Sequence, residues 1–383
     1  MKYSLNLTIY NRLKLVRVIT AIGMLFSMLC SLNLWGGQRW IPTCPMFSGL
    51  YIQPPYDYVF IVLEVILLLM LLNTNYPRFL IGMILLLNIT FVIFDQNRLQ
   101  PWFFLYNCIF LVLLFYNWRI DNINTFHSFF IILQLCISAV YVYSGVQKLN
   151  PHFVNETYSW FISPLKGIVS DRQMNVLIKT GYVIPYIEIF IGIGLLVKPL
   201  RFLAVPFVII THVLILILMG PFGHNYNSVV WPWNIVMIGL VLLLFSGNTM
   251  ERYYSVTHLF KIPVFYIVIT LFWILPIFNL RNYWETYLSF SLYSGNNHNA
   301  KIILSDKAYK NLPFYIRNFV YEESELHILY PKLWCLTELK APMYPERRIF
   351  DRVCQYLIIL TRSSNDDVKL VYIEKTKLFA EQH

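Results

Sequence analysis

The stretch Tyr141-Val-Tyr-Ser-Gly-Val-Gln-Lys-Leu-Asn-Pro-His-Phe153 closes a long apolar run with a lysine, and a proline and a histidine follow directly. Residues 129–145 upstream of it have the apolarity of a helix crossing a bilayer, which needs ~20 such residues. Lys148 therefore stands where that helix leaves the membrane. A lysine at this depth has two readings. Either its stem lies along apolar surface while the ammonium reaches the headgroups, or it serves chemistry at the boundary.

The rest of the chain has the same character. It is 57% hydrophobic, 17% aromatic and only 13% charged, against about 25% charge in a soluble domain. This predicts an integral membrane protein. The net charge of +10 is scattered singly between apolar runs, so it reads as a topology signal and not as a surface for nucleic acid. The six cysteines, at 30, 44, 108, 136, 335 and 354, show no CxxC spacing, which excludes a zinc knuckle or a thioredoxin-like motif.

Working outward from Lys148, nine runs qualify or nearly qualify as spans: 15–35, 58–72, 79–94, 102–118, 129–145, 182–197, 202–219, 229–245 and 262–280. The first begins after Arg12, Lys14 and Arg17 and is followed by no small-x-small cleavage site, so it reads as a retained span. With the N-terminus in the cytoplasm, that side collects Lys2, Arg12, Lys14, Arg17, Arg78, Arg119, Lys198, Arg201, Arg252 and Lys261. The other side collects Arg39, Arg98, Lys148, Lys166, Arg172 and Lys179. The excess of basic residues in short loops orients the N-terminus inward. Residues 1–280 are thus expected to form an all-α polytopic bundle of about nine helices in a plasma or inner membrane.

Beyond residue 280 charges become frequent. Strands are expected at 300–304 and 368–373, with an amphipathic helix over 345–360 carrying its proline in the first turn. Residues 281–383 read as a small α+β domain on the extracytoplasmic side. Trp284, Tyr287, Phe290 and Tyr293 recur at helical spacing and predict a rigid connection to it.

In this topology three polar loops face outward together: 95–102, 147–152 and 223–234. Glu64, Glu188 and His212 lie inside spans, where a charged group costs ~2.5 kcal/mol or more at mid-depth. They must therefore face protein, either tying helices together or forming a ligand site or proton path. No phosphate loop, HExxH, GxSxG or metal-ligand cluster is present, and no metal is expected.

Several ordered stretches resemble one family. Gly145-Val-Gln-Lys-Leu-Asn-Pro-His-Phe-Val154 resembles the Gly-Val-Lys-Lys-Leu-Asp-Ala-Asp-Trp-Val segment of vitamin K-dependent gamma-carboxylases and the wider horizontally transferred transmembrane (HTTM) family. Ile162-Ser-Pro-Leu-Lys166, the pair Thr211-His212, Val230-Trp-Pro-Trp-Asn-Ile-Val236 and the run from Asn282 to Tyr293 with Ala300-Lys-Ile302 extend the likeness in order. The resemblance implies an enzyme that deprotonates a reduced, vitamin K-like quinone and carboxylates a protein or peptide substrate on the outer side. The family's active-site lysine matches Lys148. Two positions depart from the pattern: the first lysine of the pair is Gln147, and Trp102 stands where the carboxylases have a histidine.

The candidate catalytic residues are therefore Lys148 and His212. Asp95, Arg98, Trp102, Gln147, Trp231 and Trp233 are candidates for holding the quinol. Two other readings stay open, a noncatalytic DoxX-like membrane binding or assembly component and a transporter. The expected surroundings are membrane lipid, with no nucleic acid.

Overall fold

The computed structural model describes residues 9–50, 52–118, 123–247 and 256–376. Among them, the expected apolar runs are helical: α1 (Ile9–Cys30), α2 (Asp57–Leu72), α3 (Pro77–Phe94), α4 (Pro101–Phe115), α5 (Ile123–Gln147), α6 (Ile184–Leu196), α7 (Arg201–Met219) and α8 (Val230–Phe245). The ninth, α9, starts as Pro263–Val268, widens into a π-helix over Ile269–Ile274 and finishes over Leu275–Asn279. Prolines stand in the first turns of α3, α4, α6 and α9, where an amide hydrogen has no intrahelical partner to lose.

Four helical stretches, Asn11–Cys30, Pro77–Phe94, Ile123–Gln147 and Lys198–Met219, are long and apolar enough to cross a membrane. A fifth is added if Asp171–Thr180 and Ile184–Leu196, bent by 45°, make one span. The outward faces carry Val59, Phe79, Leu86 and Phe202, each more than 60% exposed. An apolar exterior on this scale suits lipid and would be a liability in water. The helices and this exterior are compatible with an integral membrane protein.

The two ends of the bundle differ chemically. At one end arginines close the carbonyls left open where a neighbouring helix stops. Arg12 donates to Leu243 O (3.3 Å) and Ser246 O (2.8 Å) at the end of α8, and Arg17 to Leu72 O (3.4 Å) and Thr74 O (3.0 Å) past α2. Arg78 donates to Leu114 O of α4 (2.9 Å) and Arg201 to Leu195 O of α6 (2.7 Å). These arginines belong to the set expected in the cytoplasm; Lys2, Arg119 and Arg252 of that set lie outside the described residues.

At the other end sits the C-terminal domain. Its antiparallel sheet has the order β2-β3-β1-β4, from β1 (Asn299–Leu304), β2 (Val320–Glu323), β3 (Leu326–Leu329) and β4 (Val368–Ile373). Helices α10 (Pro331–Leu339) and α11 (Arg347–Thr361) pack with it. Two of these strands match the sequence expectation. The β2–β3 hairpin was not anticipated, because Ser324 and Glu325 make its turn at φ 50° and 66° without the glycine that usually marks such turns. Glu346 is the N-cap of α11, so Pro345 precedes the helix and does not occupy its first turn.

The connection after Asn279 also differs from its sequence pattern. It is a series of turns with one 3₁₀ turn at Tyr287–Ser289, and Asn282, Phe290 and Tyr293 adopt φ of 64°, 54° and 48°, which a helix does not permit. Packing holds it in place of helical hydrogen bonds. Phe290 lies against Phe104 and Phe272, and Tyr287 donates to Met343 O at 3.1 Å. The domain is further tied to the bundle by Gln100 to Pro342 O (2.8 Å), Tyr344 N to Asn97 Oδ1 (3.1 Å) and Arg348 to Gln96 Oε1 (2.8 Å).

Candidate functional site

The site begins with two glycines. A Cβ on Gly145 would stand 2.6 Å from Pro185 O and 2.9 Å from Ile189 N; one on Gly192 would stand 2.8 Å from Ser138 O and from Val142 N. Helices α5 and α6 therefore touch backbone to backbone, the small-residue contact by which membrane helices approach closely. This contact sets Glu188 of α6 against Lys148 at the end of α5.

Lys148 Nζ meets Glu188 Oε2 at 2.7 Å, Ser144 Oγ at 2.6 Å and Ser144 O at 3.3 Å. All three ammonium hydrogens have acceptors, and the residue is only 6% exposed. Lys148 therefore does not reach outward from the bundle. It is half of a buried ion pair, and a lone buried charge of either sign would be strongly unfavourable.

Beside the pair runs a second chain of polar groups. Asn234 Nδ2 donates to Val230 O (2.6 Å), which turns its Oδ1 toward His212 Nδ1 (2.5 Å). Flipping the amide would set Oδ1 against a carbonyl, so the network assigns the imidazole hydrogen to Nδ1. His212 Nε2 is then an acceptor, and Tyr141 OH donates to it at 2.7 Å.

Both groups line one cavity of about 190 Å³, whose walls also include Phe153, Phe161, Trp233 and Met237 among other apolar side chains. It lies between α5, α6, α7 and α8, and the segment after Lys148 covers it. Leu214 of its wall is half exposed on the bundle's outer surface. A compact apolar space with a few convergent polar groups is the usual form of a small-molecule site.

Of the residues expected from sequence, the structure brings Lys148, His212 and Trp233 together here. The others are occupied elsewhere. Asp95 pairs with Arg39 and accepts from Cys44 N (3.1 Å) and Asn97 N (3.2 Å). Arg98 is held by Leu34 O (3.1 Å), Trp35 O (2.6 Å) and Phe91 O (3.3 Å). Trp102 packs edge-on against Trp35 and Tyr106. Trp231 Nε1 donates to Met219 O (3.1 Å), and Trp231 does not line the cavity.

Gln147 faces away from the cavity. It donates to Asn279 Oδ1 (2.9 Å) and accepts from Lys375 Nζ (2.7 Å), which also donates to Asn279 Oδ1. Lys375 is 2% exposed; burial pulls its ammonium down to about 8, opposed only by the more distant Glu346 carboxylate. Glu64 on α2 is fully buried and does not line the cavity either, so the structure does not join it to Glu188 and His212.

Sequence reasoning missed Tyr141, Ser144 and Asn234, and left Glu188 without a partner. The spacing 141, 144, 148 places the first two on one helical face with Lys148, a signal that was available. Among the described residues no group of three or more His, Cys, Asp or Glu side chains is placed to hold a metal. The chain matches no family model, no curated protein and no solved structure.

Proposed function

We propose that this protein is a membrane enzyme of the kind its sequence resembles, binding a quinol-type ring compound in the Lys148–Glu188 cavity and removing a proton from it at the membrane's outer face. In this reading nine spans carry the N-terminus in the cytoplasm and the C-terminal domain outside. The arginine-capped end opposite that domain supports the orientation.

The single observation that carries the reading is the buried ion pair opening onto a compact apolar cavity. A lysine needs a free amine to act as a base, and Glu188 at 2.7 Å supplies the route. The ammonium passes one proton to the carboxylate, and the amine then takes the ligand's hydroxyl proton. The outcome is a protonated Glu188 and a ring oxyanion facing the restored ammonium, with one proton moved and charge conserved. Low-dielectric surroundings strengthen that final attraction.

The reading would place the carboxylated protein or peptide near the outer domain. A noncatalytic binding component is the second reading, favoured by the complete hydrogen bonding of the Lys148 ammonium at rest.

The test compares Lys148→Arg and Lys148→Met in membrane insertion and in turnover of vitamin K hydroquinone to its epoxide. A guanidinium does not release its proton at working pH, and a lost base costs about 10²- to 10⁴-fold in rate. Normal insertion with lost turnover in both variants supports the base. An active Lys148→Arg protein, or wild type that neither retains a quinone through purification nor turns one over, sinks the proposal.

A further inference from the structure

We propose that the groove between α11 of the C-terminal domain and the near ends of α1, α2 and α3 holds one anionic phospholipid, its phosphate at Arg352 and its acyl chains against Phe60 and Phe94. The site is separate from the Lys148–Glu188 cavity and does not depend on what that cavity binds.

The groove has a volume of about 870 Å³, and its apolar and cationic parts are sorted along the helix axes. Phe60 and Phe91 stand one turn inside the ends of α2 and α3, and Phe94 closes α3. Arg39 and Arg98 stand beyond the helix ends. The domain supplies the remaining wall with Arg352, Gln355, Tyr356 and Ile359 of α11, whose spacing puts them on one face of that helix. In and beside the groove, Trp40, Tyr56 and Tyr58 are 43%, 67% and 50% exposed, as amphipathic rings are where a span meets the headgroups. A groove that is apolar beside the spans and cationic past them has the layering of a phospholipid.

The charges of the groove do not cancel. Arg39 pairs with Asp95. Arg98 is offset by the buried Asp57, whose carboxylate accepts from Gly37 N (2.7 Å) and Tyr58 N (3.0 Å). Arg352 is left over. It is exposed, and it has no hydrogen-bond or ion-pair partner among the described residues. All five of its guanidinium hydrogens are therefore open, and Arg39 has committed only two of its own, to Asp95 and to Leu34 O (3.4 Å). The guanidinium fork matches the oxygens of a phosphate in geometry and charge. Ile359, two turns along α11 from Arg352, is 75% exposed and gains by lying against an acyl chain. Because one wall belongs to the domain and the others to the bundle, the bound lipid also joins the two.

The experiment is native mass spectrometry of the full chain in detergent, titrated with dimyristoyl phosphatidylglycerol or dimyristoyl phosphatidylcholine. Wild type is expected to hold one phosphatidylglycerol roughly tenfold more tightly, since the choline ammonium adds a like charge beside an uncompensated guanidinium. Arg352→Gln, checked for an unchanged thermal midpoint, should bring that ratio close to one, because the remaining charges pair off. Arg347→Gln removes the same charge from α11 at a position that does not line the groove and should keep the wild-type ratio. Equal affinities for the two lipids in wild type, or an unchanged ratio in Arg352→Gln, overturn the proposal. An equal fall in Arg347→Gln overturns it in favour of net charge alone. Displacement of the lipid by excess inorganic phosphate overturns it in favour of a site for a free anion.

Discussion

If the Lys148–Glu188 pair is a mutually dependent buried unit, removing one partner should damage the protein more than removing both. Lys148→Met strands the Glu188 carboxylate, whose side chain is 11% exposed, and Glu188→Leu strands an ammonium that is 7% exposed. Breaking a buried pair from one side costs about 3–5 kcal/mol, and replacing both members with apolar groups is often close to neutral. Lys148→Met is expected near the upper part of that range unless protonation of the stranded carboxyl recovers some of it. Glu188→Leu is expected near the lower part, because Ser144 still accepts two hydrogen bonds from the lysine. The double variant should lie within about 1 kcal/mol of wild type, giving a coupling energy well above 2 kcal/mol. The assay is reversible unfolding in mixed micelles with increasing SDS, read by tryptophan fluorescence. Additive effects, or single variants each within 1 kcal/mol of wild type, would refute the claim that the pair is closed and mutually compensating.

Gly145→Val and Gly192→Val should each separate α5 from α6, at a cost of at least the 1–3 kcal/mol of ordinary overpacking, with lost ligand binding. Gly82→Ala is the control, since a Cβ there meets nothing nearer than 3.8 Å, and monodisperse yield in detergent reads the difference. Glu346 gives a pH dependence: burial first, and the Glu285 carboxylate second, raise it from 4.5 to about 7. The folded form keeps a proton the unfolded chain releases, so stability contributed by this group falls as pH rises from about 4.5 to 7. Glu346→Gln should flatten that part of the thermal-midpoint profile. Lys375 titrates the other way. Its folded value of about 8 lies below 10.5, so docking of the chain around it should strengthen between pH 8 and 10.5, and hydrogen-exchange protection factors near residue 375, corrected for the intrinsic rise of exchange with pH, should increase over that window in wild type but not in Lys375→Met.

Sequence alone determined what local pattern controls. The apolar runs became helices within a few residues of their expected ends, because length and apolarity leave a membrane segment no other way to satisfy its backbone. The strands at β1 and β4 and the helix α11 were legible from their periodicity. Lys148 was legible as the residue to watch, because a lysine closing an apolar run has few uses. What only the tertiary structure decided was which polar groups meet. Glu188 is 40 residues from Lys148, and His212 is 71 from Tyr141; no spacing rule pairs them, and the meeting of Glu188 with Lys148 goes with the close approach of α5 and α6 at Gly145 and Gly192. The same dependence explains the misplaced candidates. Asp95 and Arg98, just past α3, and Gln147, the last residue of α5, lie at the same end of the bundle as Lys148, but a side chain's role follows from which nearby acceptors and donors remain open. Theirs were taken by Arg39, by three backbone carbonyls, and by Asn279 and Lys375. Hydrogen-bond partners are assigned in three dimensions, and the sequence specifies only the residues that compete for them.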